Sequence, residues 1–320
     1  MKTKNAKKTK EVATIPVVDK RRALAAVEPE TRRSTPPGRR DHAILLGCYD
    51  RNSARKFLEG KGLEESLIEE LLKKRVAAED RMKSRPPLDE KSSAVQPITD
   101  SNLLYEIEKV MNLPECQDIY PRDTWTASLA EIAKLVPFQP NLDVAYAETL
   151  GPPDLSSSRM LSAVKLCFSD NRSTAFGISV DEMQKSVTIT GINPTLQVRG
   201  VQYGKQQQDG PFIVSMMIGA APNIVHVAKV GGRSFLASGN HRVYRLLQAG
   251  FTHVPCIVTE SNALDETGAR APGAFPESAL TASRPPLFPD FADKVLGVIV
   301  PLRAVSKVIR IRPDEYSVLK

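Results

Sequence analysis

With 320 residues, 41% of them hydrophobic, and 24 prolines against a single tryptophan, the chain has room for two domains but reads in part as linker. Its net charge of +7 is concentrated, because residues 1–40 hold 12 Lys+Arg against 4 Asp+Glu and the remainder is close to neutral. No apolar run approaches the roughly 20 residues that span a bilayer, and no apolar stretch follows the basic N-terminus. These features argue against a helical membrane span and a secretory signal.

Residues 1–40 lack hydrophobic periodicity and are expected to be a disordered basic tail, the segment through which nucleic acid phosphates would be held. Residues 41–98 are expected to form a charged helix and a linker. The run Ala43–Leu46 is too short for a domain and should dock on another element. Over 52–83, Leu58, Leu63, Leu67, Leu71 and Leu72 form a partial apolar stripe, broken near its start by Gly60 and Gly62. Glu69–Lys73 and Glu70–Lys74 are favourable i, i+4 pairs, and this helix is the candidate site for a protein partner. Residues 99–320 are expected to be a globular α/β body. In it, the spacing predicts helices over 102–111, 125–135 and 211–219, and strands over 161–168, 186–190, 297–300 and 306–311. The last two strands should rejoin the sheet.

Residues 224–258 carry the clearest pattern. Ile224 to Val230 is rich in β-branched residues, Gly231-Gly232 signals a hairpin turn, and Arg233 to Ala237 resumes the strand. After Ser238-Gly239-Asn240 a helix is predicted from His241, with Val243, Leu246 and Leu247 inward and Gly250 as its stop. Val254–Val258 is a short buried strand. Gly239 lets backbone approach a ligand, Asn240 is suited to cap the helix, and the first-turn N–H groups then face outward as an anion site. Arg242 and Arg245, three residues apart, share a face and would neutralise a phosphate.

The segment Phe235–Val258, with its Ser238-Gly239-Asn240-His241-Arg242 loop and Val254-Pro255 strand, resembles the core of the ParB/sulfiredoxin superfamily. That resemblance implies a small mixed sheet with helices as the core of 185–262, and a nucleotide-phosphate cradle at Gly239, Asn240, His241 and Arg242, beside which Ser238 and Arg245 are candidate phosphate-binding residues. A family loop with Asn-Pro and a downstream arginine would correspond to Asn193 and Arg199. A nucleoside triphosphate and Mg²⁺ are the implied cofactors. The departures narrow this reading. Asn240 stands where sulfiredoxins have the reactive cysteine and where partitioning ParB proteins have an acidic residue, and the helix-turn-helix of the partitioning branch has no counterpart after Val258.

Cys48, Cys116, Cys167 and Cys256 show no Cys-x-x-Cys spacing, so neither a zinc cluster nor a disulfide framework is expected and a cytoplasmic setting fits best. His226 and His253 read as structural. Three classes of function remain. They are a ParB-like nucleotide-phosphate binder associated with DNA through its tail, a metal-dependent phosphotransferase or nuclease, and a non-catalytic scaffold.

Overall fold

The structure, a computed structural model, describes residues 38–153, 158–169, 176–191, 196–204, 213–220, 224–270 and 273–315. These residues form a mixed α/β body. The basic tail, residues 38–40 apart, and Asn193 lie outside the described residues.

Strand β1 (Arg39–Leu45) is followed by α1 (Arg51–Gly60) and α2 (Glu65–Ser84). Asp50 caps α1 by accepting the N–H groups of Asn52 and Ser53, both at 2.9 Å. The glycine break falls between the two helices, where Gly62 has φ +68°. Ile68, Leu71, Leu72 and Ala78 of α2 are buried, so the stripe considered for a partner packs into the chain's own core. Glu70 pairs with Lys74 at 2.7 Å, whereas Glu69 reaches Arg51 (3.0 Å) and Arg55 of α1 in place of Lys73. Next come β2 (Val95–Pro97), α3 (Ser101–Met111, capped by Asp100) and α4 (Pro114–Gln117). They are followed by β3 (Thr126–Glu131), β4 (Leu135–Pro137), β5 (Asn141–Asp143), α5 (Val144–Thr149) and α6 (Arg159–Cys167). The chain continues through β6 (Phe176–Asp181), β7 (Ser186–Gly191), β8 (Leu196–Gly204) and β9 (Ile213–Ala220). It then forms β10 (His226–Val230), β11 (Arg233–Ser238), α7 (Asn240–Gln248), β12 (His253–Glu260), α8 (Glu277–Leu280), β13 (Gly297–Arg303) and β14 (Lys307–Ile311).

Among the described residues the main sheet has the order β2-β3-β12-β10-β11-β4. β10 and β11 form the expected hairpin through Gly231-Gly232, and the crossover through α7 lays β12 parallel to β10. β3 closes on β12 antiparallel, with Ser128 opposite Cys256. One edge is blunted: the Ser93 hydroxyl donates to the Val95 carbonyl, and Pro97 has no N–H. A second sheet, β13-β1-β5, lies against α5 and the main core. Residues 39–84 share one hydrophobic core with the body that follows, so a boundary at 98 does not separate two cores.

Several expectations are corrected. The segment 125–135 is strand β3 leading to β4, not a helix. Its apolar side chains are buried from both faces of a central strand, which removes the alternation that identifies a half-exposed one. Ser128 and Glu131, although spaced as in a capping box, cap no helix, and the Ser128 hydroxyl faces the Thr126 carbonyl. Residues 161–168 are helix α6, whose Ala163, Val164 and Cys167 form the buried stripe. Residues 213–220 are strand β9, as their β-branched content favours. The sheet holding the 224–260 pattern takes its other strands from residues 95–137, not from 185–220. Of the late strands, β13 pairs with β1 and β14 with β7, outside the main sheet.

Candidate functional site

The junction of β11 and α7 is set by backbone geometry. Ser238 ends β11 opposite His226. Gly239 is the N-cap residue, with φ +94°, and a Cβ there would meet Val225 Cγ2 at 2.7 Å and Val225 Cα at 2.9 Å. The cap is therefore a glycine packed on Val225, not Asn240, which is the first residue of the helix. No side chain caps α7, so the N–H groups of Asn240 and His241 have no acceptor within the helix and sit at its positive end. Asn240 Nδ2 donates to Gln139 Oε1 at 3.5 Å, while Asn240 Oδ1 is buried without a partner among the described residues.

The two arginines do not converge on this loop. Arg242 is 3% exposed, and its Nε donates to the Leu166 carbonyl at 2.9 Å and one terminal nitrogen to Ser169 Oγ at 3.2 Å. It closes the C-terminal end of α6, which places its charge where the carbonyls of that helix point. Arg245 Nε donates to the Gly151 carbonyl at 3.2 Å and its Nη1 to Gln248 Oε1 at 2.6 Å. Arg199 lies on β8 against Gly219, with Nη1 buried and without a partner among the described residues.

His241, by contrast, enters a polar cluster built from distant segments. Its ring meets Tyr146 edge-on, with centroids 4.8 Å apart. Burial pulls its pKa down to about 4, with Asp143 opposing and Arg242 and His42 adding to the effect. His42, on β1, pairs in register with Asp143 on β5. His42 Nε2 lies 3.8 Å from Asp143 Oδ2, Asn141 Nδ2 donates to His42 Nδ1 at 3.5 Å, and Arg40 reaches Asp143 at 3.5 Å. Asp143 Oδ1 also caps α5, accepting the Tyr146 N–H at 2.8 Å. His42 is held below its usual pKa first by burial, with Lys61 and Arg40 pushing the same way against Asp143. Its neutral form is thus favoured. Lys61, just after α1, sits over the Phe57 ring at 5.1 Å and has its own pKa lowered by burial.

No family model, curated protein or solved structure matches this chain.

The cluster brings together Asn240 and His241 from the expected loop with Arg40, His42, Lys61, Gln139, Asn141, Asp143 and Tyr146, none of which sequence reading singled out. The available signals were slight. Arg40 and His42 are two apart on a strand, and Gln139-Pro140-Asn141-Leu142-Asp143 is polar beside a proline stop. Chemically, the cluster offers cations and N–H donors for an anion, and a carboxylate and two imidazoles suited to proton exchange. Among the described residues no group of three or more His, Cys, Asp or Glu side chains is arranged to hold a metal, and no helix is long and apolar enough to cross a membrane.

Proposed function

We propose that the chain binds a phosphate ester of the nucleotide class at the N-terminus of α7, in a ParB/sulfiredoxin-like core formed by β10, β11, α7 and β12. The observation that carries this reading is the meeting of an uncapped helix N-terminus with a cluster whose charged side chains include Arg40 and Lys61. An anion there would receive the N–H groups of Asn240 and His241. The roles first given to Arg242 and Arg245 pass to Arg40 and Lys61, because both arginines are engaged elsewhere in the fold. Asn240 replaces the cysteine and the carboxylate of the family's reactive branches, which favours binding over sulfur chemistry. Mg²⁺ would enter with the triphosphate, since the ion commonly binds through one or two carboxylates together with substrate phosphates, and Asp143 is the carboxylate within the cluster. The basic tail would add salt-sensitive contacts to DNA phosphates.

A second reading, phosphoryl transfer or phosphodiester hydrolysis, is favoured by the pairing of His42 with Asp143 beside His241. Those groups would move protons at the bound phosphate.

Calorimetric titration of the full chain with ATP, CTP and GTP, with and without Mg²⁺, tests both. Arg40→Ala or Lys61→Ala should weaken binding by about 1.5–3 kcal/mol each, the loss of one charge-assisted contact. Product analysis with His42→Gln then distinguishes turnover from binding alone. Absence of heat with every nucleotide would remove the phosphate reading and leave a scaffold.

A further inference from the structure

Away from the α7 loop, the main sheet carries a second concave site. β10 and β12 run parallel and end side by side, with Lys229 next to Glu260. Thr126 of β3 lies opposite Val258 of β12. Strand alternation therefore sets Thr126, Ser128, Val258, Glu260 and Lys229 on one face. That face floors a surface cleft of about 620 Å³, walled by the turn Arg122–Thr124 and by Trp125. The volume falls within the range of ligand sites, roughly 300–1,000 Å³.

Two groups in this cleft lack a partner. Trp125 is 7% exposed, and its indole Nε1 is buried with no acceptor among the described residues. An indole N–H can only donate, and a buried donor without an acceptor is costly. Asp123, on the turn beside it, has no cation among the described residues. Its neighbour Arg122 pairs with Glu108 of α3 at 2.9 Å and lies over the Trp125 ring, 4.6 Å from its centroid. Lys229 is already matched by Glu260 at 3.0 Å. With two carboxylates against one ammonium, the cleft calls for one positive charge, and Trp125 calls for an acceptor next to it.

We propose that this cleft binds the N-terminus of a peptide, with the α-ammonium on Asp123 and the first carbonyl oxygen on the Trp125 N–H. A peptide N-terminus sets a single positive charge beside a carbonyl, the complement of the two unpartnered groups. A free amino acid brings a carboxylate that adds to the negative balance, and a polyamine brings no acceptor for the indole. Arg122 gives way at little cost, since an exposed ion pair such as that with Glu108 holds weakly. The peptide then continues along the strand face, over Val258 and the hydroxyls of Thr126 and Ser128.

The chain has one tryptophan, so intrinsic fluorescence reads this cleft directly. Titration of the full chain with alanyl-alanine amide should give a saturable change in emission. The N-acetylated amide keeps the carbonyls but loses the ammonium, and should bind at least about tenfold more weakly. Asp123→Asn, at an exposed position, should weaken the unacetylated amide by a similar factor. Trp125→Phe removes both the N–H and the reporter, and calorimetry should show a comparable loss, with far-UV circular dichroism to check the fold. Should that variant unfold, Asp123→Asn decides alone. Free alanine and spermidine should each bind more weakly than the amide. Equal affinity for the two amides, no effect of Asp123→Asn, or alanine or spermidine binding as tightly as the amide overturns the proposal. So does the absence of both an emission change and heat at millimolar amide.

Discussion

Arg242 carries a full charge and is almost inaccessible, and its two hydrogen bonds explain why. A guanidinium can donate to the Leu166 carbonyl of α6 and to the Ser169 hydroxyl at once through a planar fork that an ammonium lacks. Arg242→Ala should therefore lower stability by about 2–4 kcal/mol, seen as an earlier urea midpoint at unchanged slope, since it leaves the end of α6 unsatisfied. Arg242→Lys should recover less than half of that loss. If Arg242→Ala melts like the wild type but abolishes nucleotide binding, the arginine faces ligand and not α6. From sequence, an arginine in the first turn after a Gly-Asn loop looks the same in both roles. What decides is the carbonyl of Leu166, which lies 76 positions away. Gly239 was marked in the sequence as a point of close backbone approach, and in the fold the group that approaches it is Val225, just before β10, across a left-handed φ.

Among elements, the well-read ones stop and start on local chemistry. Asp50 and Asp100 cap their helices, Gly62 breaks one, and Gly231-Gly232 turns the hairpin. β3, α6 and β9 were misread because their apolar residues fit either period, and neighbours settled the choice. β3 lies between β2 and β12, with Ala127 on one face and Ser128 and Ala130 on the other buried. Junctions between elements depend even more on distant residues. Arg85, at the end of α2, reaches both carboxylate oxygens of Asp290 at 2.8 and 2.7 Å, and Asp290 also accepts the Leu287 N–H at 2.8 Å. Burial holds the Asp290 pKa above the usual carboxylate value even though Arg85 opposes it. Asp290→Ala strands the Arg85 charge, and chemical denaturation should show a loss of about 3 kcal/mol. Replacing the pair as Arg85→Met with Asp290→Leu should restore most of it. A single variant as stable as the wild type would mean that the pair is not coupled.

For the molecule as a whole, ionisable groups set a direction of acid sensitivity. Burial pulls both His226 and His241 down to about 4, His226 with its ring nitrogen 2.8 Å from Thr259 Oγ1. Each is protonated in the unfolded chain below its ordinary value near 6.5 but resists protonation when folded. Between about 6.5 and about 4 the unfolded chain binds more protons, so stability is complete above that window and falls as pH falls through it. The depressed carboxylates Asp50, Glu70, Glu79 and Asp293 continue the loss at lower pH, while Asp290, raised by burial, acts in the opposite sense. Urea midpoints at pH 7, 5.5 and 4.5 should decrease in that order, and His226→Gln should flatten the slope. A midpoint that stays constant over this range would show that the imidazoles are accessible when folded.

The sequence by itself determined what depends on neighbours along the chain: the glycine turns, the β-hairpin and crossover of residues 224–260, and the concentration of positive charge in residues 1–40. Tertiary structure alone decided which strands flank that hairpin, that Arg242 closes α6, and that Arg40, His42 and Asp143 gather beside His241. The reason is physical. Caps and turns are fixed by dihedral angles and hydrogen bonds within a few residues. A strand buried on both faces, or a charge paired across a hundred residues, takes its meaning from atoms that only folding brings near.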